Sequence, residues 1–570
     1  MSAIVHPKNT RVWGFWICVF FTWGMFAWSA LAQVPPGAGT VAPGRIEQPF
    51  RPETGPPPAG GAPIVPPGLG PSVAPPGAAQ AHFILQRIVI EGANVFSAAD
   101  LAPLYQDMVG RDVTLQQIYD AAAAITAKYG AAGYILSQAV VPAQRIVGGV
   151  VRIQVVEGFV DKVTLKNETG AALDDHLLQA YAASISAAHP LQASVLERYL
   201  LLMNDLPGVT ARSYMQPSPT TPGAADMVVV VERKTFDGTV SIDNQGSKFL
   251  GPYEGLVEGN LNDVIGRDER TGVRYANTVP FSELHYAEIY HDEQLDTEGT
   301  KATFDFYWSQ ANPGSFFTGV TDNDYSGSVQ ITHPFIRSRA QNLIGLARFE
   351  VDNLEGNLTG AQIVNDHLRV LRTQLIWNGI DALWNGAASS ASVEYSQGLP
   401  IFGATTLPTR VGASTTFAKF NGQAWRDQGI GGDFSIYGAV AGQVSDQILP
   451  SSEEFGFGGA QFGRGYDPSE IIGDSGIAGT AELRWGQEVG NAWLHDYQFF
   501  GFCDAGVVWS NLMLPASSGQ QTAVSTGAGV RINLELGISG YVEVGIPLTR
   551  IVASEGNKSP RVLFGIAKKF

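Results

Sequence analysis

Apolar and polar residues alternate with a period of two through most of the chain beyond Thr235. Phe236, Val240 and Ile242 alternate with Asp237, Thr239, Ser241 and Asp243, and Ala302, Phe304, Phe306 and Trp308 with Thr303, Asp305, Tyr307 and Ser309. Ala481, Leu483 and Trp485 alternate with Thr480, Glu482 and Arg484, and Ile532, Leu534, Leu536 and Ile538 with Arg531, Asn533 and Glu535. Successive side chains of a strand point to opposite faces, so these segments predict strands with one apolar and one polar face. A soluble β-sandwich alternates in the same way, but seldom for as long as residues 235–570. A tilted membrane-spanning strand takes ~9–11 residues, so at roughly 20 per strand and connection this region holds about 16 strands. The chain closes on Val562, Phe564, Ile566 and Phe570, which share one face of a last strand.

Upstream, the period changes. Phe83–Glu91 reads as a strand, and Ser97 as the cap of a helix over 98–109. Thr114 and Gln117 have the spacing of a capping box. The helix that follows aligns Leu115, Ile118, Ala122, Ile125 and Tyr129 on one face, with Gly130 as its stop. Strands follow at 134–141 and 150–156. Residues 158–234 repeat the plan: strand at 160–165, helices near 173–182 and over 193–206, and a last strand at 227–232. Two successive β-α-α-β-β units are the simplest description, residues 82–157 and 158–234.

The first residues read as an address. Lys8 and Arg11 precede an apolar run from Val12 to Trp28, and Ala30-Leu31-Ala32 has the small-x-small form of a cleavage site. Residues 1–32 are therefore expected to be a secretory signal peptide. Residues 33–81 carry 14 of the chain's 33 prolines, so they are expected to form an extended tether without a useful amphipathic helix.

Composition narrows the class further. Charged residues make up 16% of the chain, below the about 25% of globular proteins. With no later apolar run of helical spanning length, an exported chain of this kind suits a membrane barrel. Net charge is -17, which argues against a nucleic-acid partner. Of the two cysteines, Cys18 lies in the signal, leaving Cys503 alone; no disulfide or Cys/His metal site is expected. There is neither a G-x-S-x-G elbow nor a phosphate-binding G-x-x-x-x-G-K-[ST] loop. No catalytic residue, cofactor or metal is expected.

The densest candidate chemistry lies at Phe462-Gly463-Arg464-Gly465-Tyr466, Thr480-Ala481-Glu482 and Phe502-Cys503-Asp504-Ala505-Gly506. An arginine fork between two glycines can pair bidentately with a carboxylate. The alternation puts Glu482 and Asp504 on the polar register of their strands.

These residues resemble the two-partner secretion transporters of the hemolysin secretion/activation type, over residues 83–570. Gly133-Tyr134-Ile135-Leu136 through Val151–Gly158 resembles the end of that family's first POTRA domain, and Asn204-Asp205-Leu206-Pro207-Gly208 resembles part of its second. Asp243–Ser247 and Ser396–Pro400 resemble barrel segments. The resemblance implies a transmembrane antiparallel β-barrel of 16 strands in the outer membrane, preceded by two small α/β POTRA domains in the periplasm. It implies that a loop near 455–478 folds into the lumen, with Gly463, Arg464, Gly465 and Tyr466 at its tip. Arg464 then pairs with Asp504 and Glu482, in a motif framed by Phe502 and Gly506, and Phe570 is the assembly signal. The implied partners are a secreted exoprotein, outer-membrane lipid and the barrel-assembly machinery. The rival within the superfamily is an assembly factor that inserts other barrels. Some members of the family carry a helix that plugs the barrel; the Pro-rich segment here gives no such helix.

Overall fold

The structure, a computed structural model, describes Arg45 and residues 73–169, 173, 175–279, 281–313, 319–491, 493–511 and 519–570. The expected signal peptide lies outside the described residues, as does the expected 33–81 tether apart from Arg45 and residues 73–81.

The first small domain packs the helix Leu115–Ala131 on a sheet in which Arg87–Glu91 pairs in parallel with Val150–Val156, and that strand pairs antiparallel with Gln138–Val140. Thr114 accepts a hydrogen bond from the Gln117 N–H while the Gln117 side chain accepts from the Thr114 N–H, the reciprocal cap that the spacing predicted. Ile118, Ala122, Ile125 and Tyr129 are fully buried. Four boundaries differ from expectation. The expected strand Phe83–Glu91 breaks at Leu85-Gln86 into His82–Ile84, which pairs with Asp112–Thr114, and Arg87–Glu91. The 98–109 helix is α-helical only over Ala98–Leu101, then breaks into two short turns, because Pro103 has no N–H to continue the ladder. The long helix passes Gly130 and stops before Gly133, which takes the left-handed conformation at φ 88°. The expected strand 134–141 shrinks to Gln138–Val140, and Tyr134 lies outside it with its ring packed edge-on against Phe96 and Tyr129.

The second small domain has the expected order. Phe159–Asn167 is followed by helices His176–Ser186 and Ala193–Asp205, then by Val209–Pro217 and Ala224–Arg233. The last strand lies between the other two, parallel to the first and antiparallel to the second. The first helix begins at His176 because the Asp175 carboxylate accepts from the Leu178 N–H at 2.9 Å.

Sixteen strands close into one antiparallel barrel, from Phe236–Asp243 to Arg561–Lys569, which pair with each other. The faces separate as the alternation predicts. Val240, Ile242, Phe304, Phe306, Leu483, Val562 and Ile566 are exposed outside, while Ser328, Gln330, Glu350 and Asp352 are buried within. Among the described residues no helix is long and apolar enough to cross a membrane. The run Ile532–Ile538 is not one strand. Strand Gln520–Leu534 ends there, Leu536 and Gly537 turn with positive φ, and Ile538–Pro547 begins the next strand.

The second small domain is tied to the barrel's near rim by charge. Arg337 in strand Val320–Arg337 donates to both oxygens of Asp205 at 2.7 Å, while Arg198 and Tyr199 reach Glu298 at 3.2 and 2.9 Å. Arg233 joins Asp175 (2.5 Å), Asp268 (2.8 Å) and Asp263, linking the domain's helix cap to the turn between the second and third strands of the barrel.

Candidate functional site

Between strands Phe434–Val444 and Ser475–Glu488 the chain leaves the wall and folds into the lumen. Its two limbs form a small hairpin, Phe455–Phe457 against Ile471–Gly473. The loop rejoins the wall at Ser475, a few residues before the expected limit of 478, and its tip is Gly463-Arg464-Gly465-Tyr466.

Arg464 is 4% exposed and bonds two neighbouring strands, while Tyr466 reaches a third. Thr480, Asp504 and Ser525 lie opposite one another on strands Ser475–Glu488, Leu494–Trp509 and Gln520–Leu534. The guanidinium donates to Asp504 through Nε (3.1 Å) and Nη2 (2.7 Å), to Thr480 Oγ1 (2.8 Å) and to Glu482. Asp504 Oδ2 also accepts the backbone N–H groups of Gly463 (3.1 Å) and Arg464 (3.0 Å). Glu482 is divided among three cations, since Arg484 (2.7 Å) and Arg531 (3.2 Å) share it with Arg464. Asp504 is thus the more dedicated partner of the two.

The aromatic residues complete the seat. Arg464 lies over the Phe502 ring at 3.6 Å, and Arg531 over Phe500 at 3.7 Å, with the two rings stacked. Tyr466 is buried and donates to the Val524 carbonyl at 2.9 Å, while the N–H groups of Thr549 and Arg550 donate to its hydroxyl at 3.3 Å. The glycines are explained by close approach. A Cβ on Gly506 would stand 2.2 Å from the Phe457 ring, and one on Gly465 would stand 2.8 Å from Ser525. Gly463 takes φ 91°, which a side chain resists.

All the sequence-derived loop and strand residues converge here except Phe570. That residue lies 59% exposed at the end of the closing strand, its N–H donating to the Gly238 carbonyl at 3.0 Å. In the sequence Thr480 and Arg531 stand out only as polar strand positions, with no role at the lock, and Ser525 and Phe457 do not stand out at all. The inward parity shared with Glu482 carries a signal for Thr480; the others need the strand register. Arg45 was also missed. It is buried in the lumen and donates to Ser469 Oγ at 3.0 Å and to the Glu454 carbonyl, which puts one point of the Pro-rich segment inside the barrel. Among the described residues no group of three or more His, Cys, Asp or Glu side chains is placed to hold a metal ion.

Residues 83–158 match the family model "POTRA domain, ShlB-type". Residues 226–532 match "Haemolysin secretion/activation protein ShlB/FhaC/HecB", more than half of the chain. Relatives include the heme/hemopexin transporter protein HuxB of Haemophilus influenzae, 24% identical over 66% of this chain and 67% of that protein. The outer membrane transporter CdiB of Dickeya dadantii is 23% identical over 82% of this chain and 83% of its own. Among solved structures, CdiB from Escherichia coli superposes with a TM-score of 0.72 at 19% identity, covering 95% of this chain and all of that one. BamA from Haemophilus ducreyi, without its first three POTRA domains, reaches 0.51 at 12% identity over 85% of this chain and 99% of that one. The chain therefore belongs to the haemolysin secretion/activation family of ShlB, FhaC and HecB, the outer-membrane transporters of two-partner secretion.

Proposed function

We propose that this transporter receives one large exoprotein, still unfolded, on the open sheet edges of its periplasmic domains and passes it through the barrel. An exposed edge accepts an extended segment as an added strand, with affinity from main-chain hydrogen bonds. Phe159–Asn167 and Val209–Pro217 are the edges of the second domain's sheet and present such unpaired backbone. The polar lumen offers an extended chain hydrogen-bonding groups along its path. With no phosphate-binding loop in the chain, folding of the exoprotein outside is the driving force that opposes backsliding. The protein performs no chemical step, and its work also involves outer-membrane lipid and the machinery that assembles the barrel.

The observation that carries this reading is the Arg464 seat. A charged loop tip bound across three strands inside the lumen suits a passage that is closed at rest and opened for cargo. Arg464, Asp504 and Glu482 form the lock, with Gly463, Gly465, Tyr466, Phe502 and Gly506 shaping it, and Phe570 serves assembly.

The test is deletion of the gene in its host, with complementation, and comparison of proteins in the medium and the outer membrane. One large exoprotein should vanish from the medium and return on complementation, with other outer-membrane barrels unchanged. A general loss of outer-membrane barrels would favour the assembly-factor reading, for which the BamA-like fold is the supporting observation.

A further inference from the structure

The loop is fastened at a second place, on a different stretch of wall. Glu453, at the root of its incoming limb, is 3% exposed. Its carboxylate accepts from Arg372 Nη2 at 2.8 Å and Nη1 at 3.2 Å, and from Lys419 Nζ at 2.7 Å. Arg372, in strand Ala361–Asp381, also holds Glu350 of Gln341–Leu358 at 2.9 Å and Ser396 of Ala387–Gly398 at 3.0 Å. Lys419, in strand Ala418–Gly431, donates in addition to the Glu453 carbonyl at 2.9 Å and to Gln443 at 3.2 Å. The root thus sits on strands seven to eleven of the barrel, while the tip sits on strands twelve to fourteen.

The outgoing limb is drawn to the same region. Arg410, from the connection between strands nine and ten, pairs with Glu454 at 3.1 Å and with Asp474 at 2.5 Å. Asp474 is fully buried and also accepts the N–H of Leu449 at 2.8 Å. Both limbs therefore leave the wall side by side, and the loop reaches from there across the lumen to Arg464. The two attachments share no residue, so breaking one leaves the partners of the other in place. A buried ion pair that loses one member leaves an uncompensated charge, which makes each attachment costly to break alone.

We propose that Glu453 is the pivot of this loop: a positioning residue that, through Arg372 and Lys419, keeps the root against the wall when Arg464 lets go. The tip then swings within the lumen and is not expelled from it. This rests on the reading of Arg464 as a releasable lock, and adds that release of the lock alone does not free the loop.

The test uses the full chain in intact cells, with Cys503→Ser removing the native thiol and Ala460→Cys introduced on the loop. Ala460 is exposed and borders a luminal cavity of about 710 Å³. A maleimide too bulky for the lumen is applied from outside, with a small maleimide as the control for thiol reactivity. Labelling is compared in the parent, Arg464→Ala, Glu453→Gln and the combined variant, with heat-modifiable gel migration reporting barrel assembly. Bulky labelling stays near the parent level in each single variant and rises at least about tenfold in the combination, as expected when two independent restraints hold one equilibrium. If Glu453→Gln fails to assemble, Glu453→Gln with Lys419→Met removes both buried charges and takes its place. Arg464→Ala alone reaching the level of the combination overturns the pivot, as does a combination that stays at the parent level. No cargo is needed, so either result is distinct from failure of the secretion reading, which shows as an unchanged medium after gene deletion.

Discussion

Arg464 and Asp504 are joined by three hydrogen bonds, two from the guanidinium and one from the Arg464 N–H, and the Gly463 N–H adds a fourth from the loop to the same carboxylate. The carboxylate therefore grips the fork and the chain that carries it at once. Fork and carboxylate are matched in shape, and lysine offers only a point charge. Arg464→Lys should accordingly behave like Arg464→Ala. In planar bilayers both variants should raise the frequency of open events at least about tenfold, the effect of losing a buried, hydrogen-bonded charge pair. Parent-like conductance in Arg464→Lys would show that charge alone closes the passage.

Gly506 belongs to the same seat through steric need. A methyl group there meets Phe457 Cδ2 at 2.2 Å, and Phe457 is fully buried between the loop tip and the wall. Gly506→Ala should destabilise the closed loop by about 1–3 kcal/mol, the usual cost of overpacking. Adding Phe457→Leu should recover part of that. Thermal unfolding of the purified protein in detergent measures both; a Gly506→Ala protein with unchanged Tm would contradict the packing.

The barrel was legible because period-two alternation is forced on any strand that has lipid on one side and a polar lumen on the other. Glu482 and Asp504 could be placed inward by parity alone, and Arg464 only by the motif that surrounds it, since a loop has no period. The Glu453 cluster was not legible. Its members are tens of residues apart in sequence and meet only because register aligns strands seven to ten. The alternation also ran unbroken through Ile532–Ile538, so the turn at Leu536 left no mark in the pattern. Pro103 does leave a mark in the sequence, since its missing N–H confines the helix to Ala98–Leu101.

Arg337 is 4% exposed on its side chain and clamps Asp205 with two bonds of 2.7 Å. Its removal should loosen the second periplasmic domain against the barrel rim. Spin labels on helix Ala193–Asp205 and on the barrel turn near Glu298 report the separation. Arg337→Ala should broaden the distance distribution; an unchanged distribution would assign the joint to Arg233 and Glu298 instead.

In the first periplasmic domain, burial pushes the Glu157 carboxyl upward. The Val95 N–H, the Tyr129 hydroxyl, and the Asn94 N–H and side-chain amide outweigh that and hold it below the ordinary glutamate range. A carboxylate lowered in the folded state adds stability above its unfolded pKa, about 4.3, and loses it as pH falls toward the folded value. Hydrogen exchange of segment 93–97 should therefore speed up on acidification below that range, relative to the rest of the domain. The Glu157→Gln protein should lack this extra pH dependence. Equal pH dependence in both proteins would remove Glu157 from the account.

The most direct measurement of the central claim is secretion by an Arg464→Ala transporter in a host lacking its own copy. The exoprotein identified by gene deletion should fall at least about tenfold in the medium, in keeping with the loss of a buried charge pair. The variant barrel should meanwhile remain heat-modifiable and present at the parent level in the outer membrane. Secretion at the parent level from such an assembled barrel would contradict the role given to Arg464 and its pairing with Asp504.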